Sequence, residues 1–346
     1  MLPWNGSLAG RIDELVIDST VLRANPLCDP HERPLWVYTP PGYDDEPERR
    51  YPAVYEIQGY TGHLSMWRNR SAYRQPFIET ADEVFATGAA PPAIVVYVDA
   101  WTAYGGSQFV DSPGTGRYHT YLCDEVVPFV DSRYRTMDGA AHRGIQGKSS
   151  GGFGAFITPM LRPDLFGGLA SHAGDSLYEL CYLREFADSV RYLRDYGNDI
   201  WQWWDDFRSR VAFTKKGDDT LLMTLGVAAC FSADDDGTVR LPFDQRTGQL
   251  IPALWDRWLA WDPVRMVPSY ADALRGLQAI WIDGGTSDEW YLDVGAEAMV
   301  AELAKIGVTD VRFELFEGKH GMIEYRYPLA LAYLAEKLSP KKSAAG

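Results

Sequence analysis

The chain has 346 residues, 46% of them hydrophobic and 23% charged, which suits one large domain carrying an insertion and excludes a disordered chain. Its 33 Lys and Arg against 48 Asp and Glu give a formal charge of -15. A field of that sign repels phosphate backbones and anionic lipid, so nucleic acid is set aside as a partner and a small molecule is expected.

The opening MLPWNGSLAGRIDELVIDST has neither a basic start nor an apolar run. No stretch of about 18 apolar residues follows it, so no membrane span is expected and the protein reads as cytoplasmic. Residues 11–19 and 34–39 predict two early strands, separated from the next by the turn-rich loop PPGYDDEPERRYP. Residues 52–60 predict an apolar strand, 72–87 a helix, and AIVVYVDA (93–100) a strand buried on both faces. After the Gly/Ser-rich AYGGSQFVDSPGTG, the spacing over 118–134 predicts a helix. A strand over 142–149 then runs into a helix over 150–161, and 166–174 is a further strand. The same alternation resumes with a strand over 276–286, a helix over 295–307, a strand over 310–318 and a helix over 322–338, and PKKSAAG reads as a frayed tail. Strands alternating with helices predict an α/β fold, a mostly parallel sheet with helices on both faces.

Residues 176–265 break this alternation. They read as largely helical and hold six of the twelve tryptophans: Trp201, Trp203, Trp204, Trp255, Trp258 and Trp261. The segment leaves after one strand and returns before the next, so it is expected to be a cap over a core made of 1–175 and 266–346. An aromatic insertion of this kind also suits a subunit interface, which leaves room for a homo-oligomer. Cys28, Cys123, Cys181 and Cys230 are far apart in sequence with no C-x-x-C, and are read as free thiols.

Chemistry concentrates where 142–149 turns into 150–161. Gly147-Lys148-Ser149-Ser150-Gly151 fits G-x-S-x-G, between an apolar strand and a helix. Such a turn strains the serine backbone, holds its hydroxyl clear of the sheet and aims unpaired helix N–H groups at developing negative charge. A P-loop would need glycine where His142 stands, so Gly147-Lys148-Ser149 is not read as a phosphate cradle.

A serine hydroxyl is a weak nucleophile at neutral pH and needs a base beside it. Of the histidines, only His172 and His320 follow Ser149. His320, in the glycine-rich FEGKHGM after the last strand, is the expected base; His172, at a strand end, suits packing or a substrate contact. The acid is expected in the loop after AIWID, with Asp288 first and Glu289 as the alternative. Asp283, still in the strand, and Asp175, after the preceding strand, suit the role less. Backbone N–H groups of Tyr60, in Gly59-Tyr60-Thr61-Gly62-His63, and of Ser150 are the expected oxyanion donors. His63, Lys148, His172 and Trp204 are candidate substrate contacts. No histidine and carboxylate grouping has metal-ligand spacing, so no metal or cofactor is expected.

VYTPPGYDDEPERRYPAVYEIQGYTG, GIQGKSSGGFGAF, RPDLFGGLAS, IDGGTSDEW and FEGKHGM together resemble the putative-esterase family of α/β-hydrolases. This family includes S-formylglutathione hydrolases of the esterase D type, enterochelin and feruloyl esterases and secreted mycolyltransferases. The resemblance covers roughly 34–175 and 266–338 and implies a Ser149–His320–Asp288 triad cleaving a carboxylic ester. In mycolyltransferase-like members the acid is a glutamate matching Glu289. Two positions depart from the family: Lys148 precedes the nucleophile, and Ser150 stands where methionine is frequent. An acyltransferase with the same triad, a peptidase or amidase, and a non-catalytic binding protein on a hydrolase scaffold are the competing readings.

Overall fold

The structure is a computed structural model describing residues 4, 6–71 and 73–340. The tail read as frayed lies outside the described residues from Lys341 onward. Eight strands form one sheet: β1 Arg11–Asp18, β2 Glu32–Thr39, β3 Ala53–Ile57, β4 Ile94–Val98, β5 Arg143–Lys148, β6 Gly168–His172, β7 Ala279–Gly285 and β8 Arg312–Phe316. Their order is β1-β2-β4-β3-β5-β6-β7-β8. β2 pairs antiparallel with β1 and β4, and every other pairing is parallel.

Helices of at least eight residues are α1 Phe77–Ala86, α2 Ser150–Leu161, α3 Leu183–Leu193, α4 Ile200–Ser209, α5 Asp218–Phe231, α6 Pro252–Leu259, α7 Leu292–Lys305 and α8 Tyr327–Leu338.

Side-chain alternation along the strands divides the interior. Tyr55, Ile57, Val96, Ile145, Leu169 and Ile282 face one apolar cluster, closed by α2 and α7. Val54, Val95, Tyr97, Ala170 and Trp281 face the other, closed by α1 and α8. β3, β4 and β6 are buried along their whole length, as central parallel strands must be.

The helix over 150–161 falls where periodicity predicts and the one expected from 295 starts earlier, at Leu292, but three others start later or run less evenly, and proline is their common feature. α1 begins after Pro76, not at residue 72. The stretch expected as one helix over 118–134 is Tyr118–Thr120, a π-helical turn Tyr121–Val126, and Val127–Asp131. Pro128 follows the widened turn and has no N–H to give to Asp124. α8 begins at Tyr327 with Pro328 in its first turn, where a missing N–H costs nothing.

Residues 176–265 carry α3 to α6. Their buried aromatics, among them Trp203, Trp204, Trp255 and Trp258, join the same apolar cluster as Ile57 and Ile145. The segment therefore shares a continuous core with the sheet. Among the described residues no helix is long and apolar enough to cross a membrane.

Candidate active site

Loops at the carboxyl ends of parallel strands converge on a cleft of about 440 Å³. Ser149 stands alone between the end of β5 and the start of α2, with φ 58° and ψ -125°. A non-glycine residue held there costs about 1–3 kcal/mol and survives only where its surroundings dictate it. Here they do. The Ser149 N–H donates to the His172 and Ala173 carbonyls at 3.0 and 3.1 Å. A Cβ on Gly147 would lie 2.6 Å from the Gly151 backbone, and one on Gly151 would lie 2.5 Å from the Ile57 carbonyl oxygen. Strand and helix can approach this closely only without those side chains, which is the physical content of G-x-S-x-G.

Asp288 and His320 lie in the loops after β7 and β8. The Thr286 and Ser287 N–H groups donate to the Phe316 and Gly318 carbonyls at 2.9 and 2.8 Å, drawing the two loops together. The result is a 2.8 Å contact between His320 Nδ1 and Asp288 Oδ2. Asp288 is buried, and its other oxygen accepts the Trp290 N–H at 2.8 Å. Glu289 does a different job: its Oε2 accepts the backbone N–H of His320 at 3.0 Å, and it pairs with Lys319 at 3.5 Å. The Trp290 ring lies 4.7 Å from the imidazole, centroid to centroid. His320 and Ser149 line the same cleft.

The Ser149 hydroxyl itself donates to Asp175 Oδ1, at 3.3 Å. Asp175 Oδ2 accepts from Ser150 Oγ at 3.1 Å and from the Tyr182 hydroxyl at 2.6 Å. Burial pushes the Asp175 carboxyl above the usual range, against the three hydroxyls and His320. This partner gives a buried acceptor to the serine at position 150, where methionine is frequent in the family. Sequence reasoning weighed Asp175 only as a triad acid. Its remaining signal was a carboxylate three residues after a short strand buried along its whole length.

Tyr60 and Ser150 line the cleft together with Ser149. Among the described residues their backbone N–H groups have no acceptor. The Tyr60 hydroxyl lies 2.6 Å from the Tyr104 and Leu222 carbonyl oxygens, sharing its proton between them. Leu222 belongs to α5, so the loop after β3 is tied to the segment 176–265.

Lys148 lines the cleft; His63, His172 and Trp204 do not. His63 is exposed and starts a 3-10 turn through its ring nitrogen. His172 is fully buried, with Nδ1 2.8 Å from Asp283. Trp204 is buried against Tyr104 and Phe207, at 5.1 and 5.8 Å. Residues 176–265 contribute Tyr182, Phe213, Leu222 and Met223 to the lining. Among the described residues no group of three His, Cys, Asp or Glu could hold a metal ion.

Solved structures share this architecture. A ferulic acid esterase superposes with a TM-score of 0.62 at 17% identity, covering 96% of this chain and all of that one (100%). The S-formylglutathione hydrolase of Agrobacterium tumefaciens gives 0.54 at 16%, covering 97% of this chain and 98% of that one. FphF, a fluorophosphonate-binding serine hydrolase of Staphylococcus aureus, gives 0.57 at 12%, covering 94% and 98%. At these identities the likeness is one of fold, the α/β-hydrolase fold. The family described as Putative esterase matches residues 30–330, and the chain belongs to it.

Proposed function

We propose that the protein is a serine carboxylesterase acting on a small-molecule ester, with Ser149, His320 and Asp288 as its triad. The observation that carries this reading is the pairing of a strained, cleft-lining serine with a cleft-lining histidine whose Nδ1 is held 2.8 Å from a buried aspartate. With Asp288 accepting from Nδ1, Nε2 is the nitrogen left to take a proton. Ser149 gives that nitrogen its proton as Oγ attacks the ester carbonyl. The Tyr60 and Ser150 N–H groups hold the oxyanion. The alcohol leaves with the proton from His320, and water, deprotonated by the same nitrogen, releases the acid. Asp288 steadies the imidazolium without taking its proton. Glu289 holds the His320 backbone and is not the acid.

In the free enzyme the Ser149 hydroxyl rests on Asp175 and turns toward His320 when an ester enters. Residues 176–265 act as the cap, giving the acyl or alcohol group an apolar wall. The family match and the shared fold with ester-cleaving neighbours support the reaction class.

Hydrolysis of p-nitrophenyl esters from acetate to decanoate tests this, together with fluorophosphonate labelling. Ser149→Ala is expected to lose both labelling and about 10⁴-fold or more of kcat. A wild-type protein inert toward every ester and unlabelled would overturn the reading.

A further inference from the structure

Lys148 is the cleft-lining cation next to the nucleophile, and it is out of place in this family. Alternation along β5 sends its side chain to the same face as Gln146, the face closed by α8. Met66 and Tyr327 line the cleft from that side. Burial lowers the proton affinity of the amine, opposed by the fields of Glu324, Asp288, Glu289 and Asp175.

Each of those four carboxylates is engaged elsewhere. Glu324 pairs with Arg74 at 3.1 Å, Asp288 with His320 at 2.8 Å and Glu289 with Lys319 at 3.5 Å. Asp175 takes the hydroxyls of Ser149, Ser150 and Tyr182. The other lining cation, Arg184, pairs with Glu185 at 3.2 Å and lies 4.8 Å above the Tyr291 ring. Among the described residues Lys148 alone of these charges makes neither a hydrogen bond nor an ion pair. Lys148 is half-buried, and an ammonium partly withdrawn from water without a counter-ion is left under-compensated, a state that proteins relieve by pairing. Asp219, the lining carboxylate without a pair among the described residues, is exposed in the first turn of α5, so in a chain of formal charge -15 the unpaired charge adjoining Ser149 in sequence is nevertheless positive.

We propose that Lys148 receives a carboxylate of the substrate, so that the ester cleaved at Ser149 is itself an acid, as in the half-ester of a dicarboxylic acid. The carboxylate sits on either the acyl or the alcohol side of the ester. The inference rests on the hydrolase reading for its substrate, but the anion site is testable without turnover.

Ester cleavage is followed by proton release for monomethyl glutarate and monomethyl adipate against methyl valerate, which places the charge on the acyl side. It is followed for 4-acetoxybutanoate against butyl acetate, which places it on the alcohol side. The expected result is a preference of about tenfold or more in kcat/KM for the charged ester of one pair, the scale of one charge-assisted hydrogen bond. That ratio is expected to collapse toward one in Lys148→Met and to recover in part in Lys148→Arg. Ratios at or below one in every wild-type pair, or a ratio unmoved by Lys148→Met, overturn the proposal.

Binding of glutarate to Ser149→Ala is measured in parallel by calorimetry, with affinity expected to fall about tenfold or more when Lys148→Met is added. Inert esters with Lys148-dependent glutarate binding would sink the hydrolase reading and keep the anion site. Unselective cleavage with no glutarate binding would do the reverse.

Discussion

The sheet side of the cleft is held by backbone geometry, whereas the side contributed by 176–265 is held by the packing of large side chains. On the sheet side, Ser149 sits at φ 58° because Gly147 and Gly151 let strand and helix touch. His320 meets Asp288 because backbone hydrogen bonds join their loops. On the other side, Trp258 is buried among Tyr182, Phe186 and Phe231 at ring distances of 5.5, 5.4 and 5.8 Å. Its indole N–H donates to Ser232 Oγ at 2.8 Å. The first kind of wall tolerates almost no change of residue type. The second tolerates substitution that conserves volume, at a cost in stability and not in chemistry.

The largest effect expected on that contrast comes from Asp288 and Glu289, neighbours in one loop with different jobs. Asp288→Asn is expected to lower kcat about 10³- to 10⁴-fold, because an amide in place of the carboxylate favours the wrong imidazole tautomer. Glu289→Gln keeps an oxygen acceptor for the His320 N–H and is expected to cost less than about tenfold. Both rates come from p-nitrophenyl acetate turnover. The reverse ranking would move the acid to Glu289.

Next in size is Trp258→Ala. Removing this ring from the packed insertion is expected to cost about 3–5 kcal/mol in denaturant unfolding. Turnover under conditions where the variant stays folded is expected to fall far less than for Asp288→Asn. A collapse of kcat with unchanged stability would show that the two walls are not built on separate principles.

The same contrast explains what could be read from the residues. β4, with its run Ile94-Val95-Val96-Tyr97-Val98, is a buried strand by composition alone. The turn at Ser149 announces itself because steric exclusion at Gly147 and Gly151 leaves few allowed residues. Asp288 and Glu289 could not be separated by sequence, since adjacent carboxylates in a loop differ only in which donor they meet. Trp204 was expected to face substrate, yet Tyr104 and Phe207 enclose it. Which faces of an aromatic-rich helix turn inward depends on neighbours distant in the chain. Asp175 was weighed only as a triad acid for a related reason: its partners come from two distant segments, Ser149 and Ser150 at one turn and Tyr182 just before α3, and no spacing rule links them.

The smallest effect tests whether the two walls communicate. Tyr60 is the proposed oxyanion donor on the sheet side, while its hydroxyl holds the Leu222 carbonyl of α5 and the Tyr104 carbonyl, both at 2.6 Å. Gly226 leaves room for this contact, since a Cβ there would lie 2.4 Å from the hydroxyl oxygen. Tyr60→Phe removes the tie and keeps the backbone donor. Two partly buried carbonyls lose a partner, so unfolding free energy is expected to fall by about 1–2 kcal/mol. If the tie only braces the insertion, kcat/KM on p-nitrophenyl acetate is expected to stay within about threefold of wild type. A loss near the 10²-fold scale of a missing oxyanion donor would instead mean that the insertion sets the position of the Tyr60 N–H. The side-chain-packed wall would then be part of the catalytic geometry, and substitutions in α5 would change rate as well as stability.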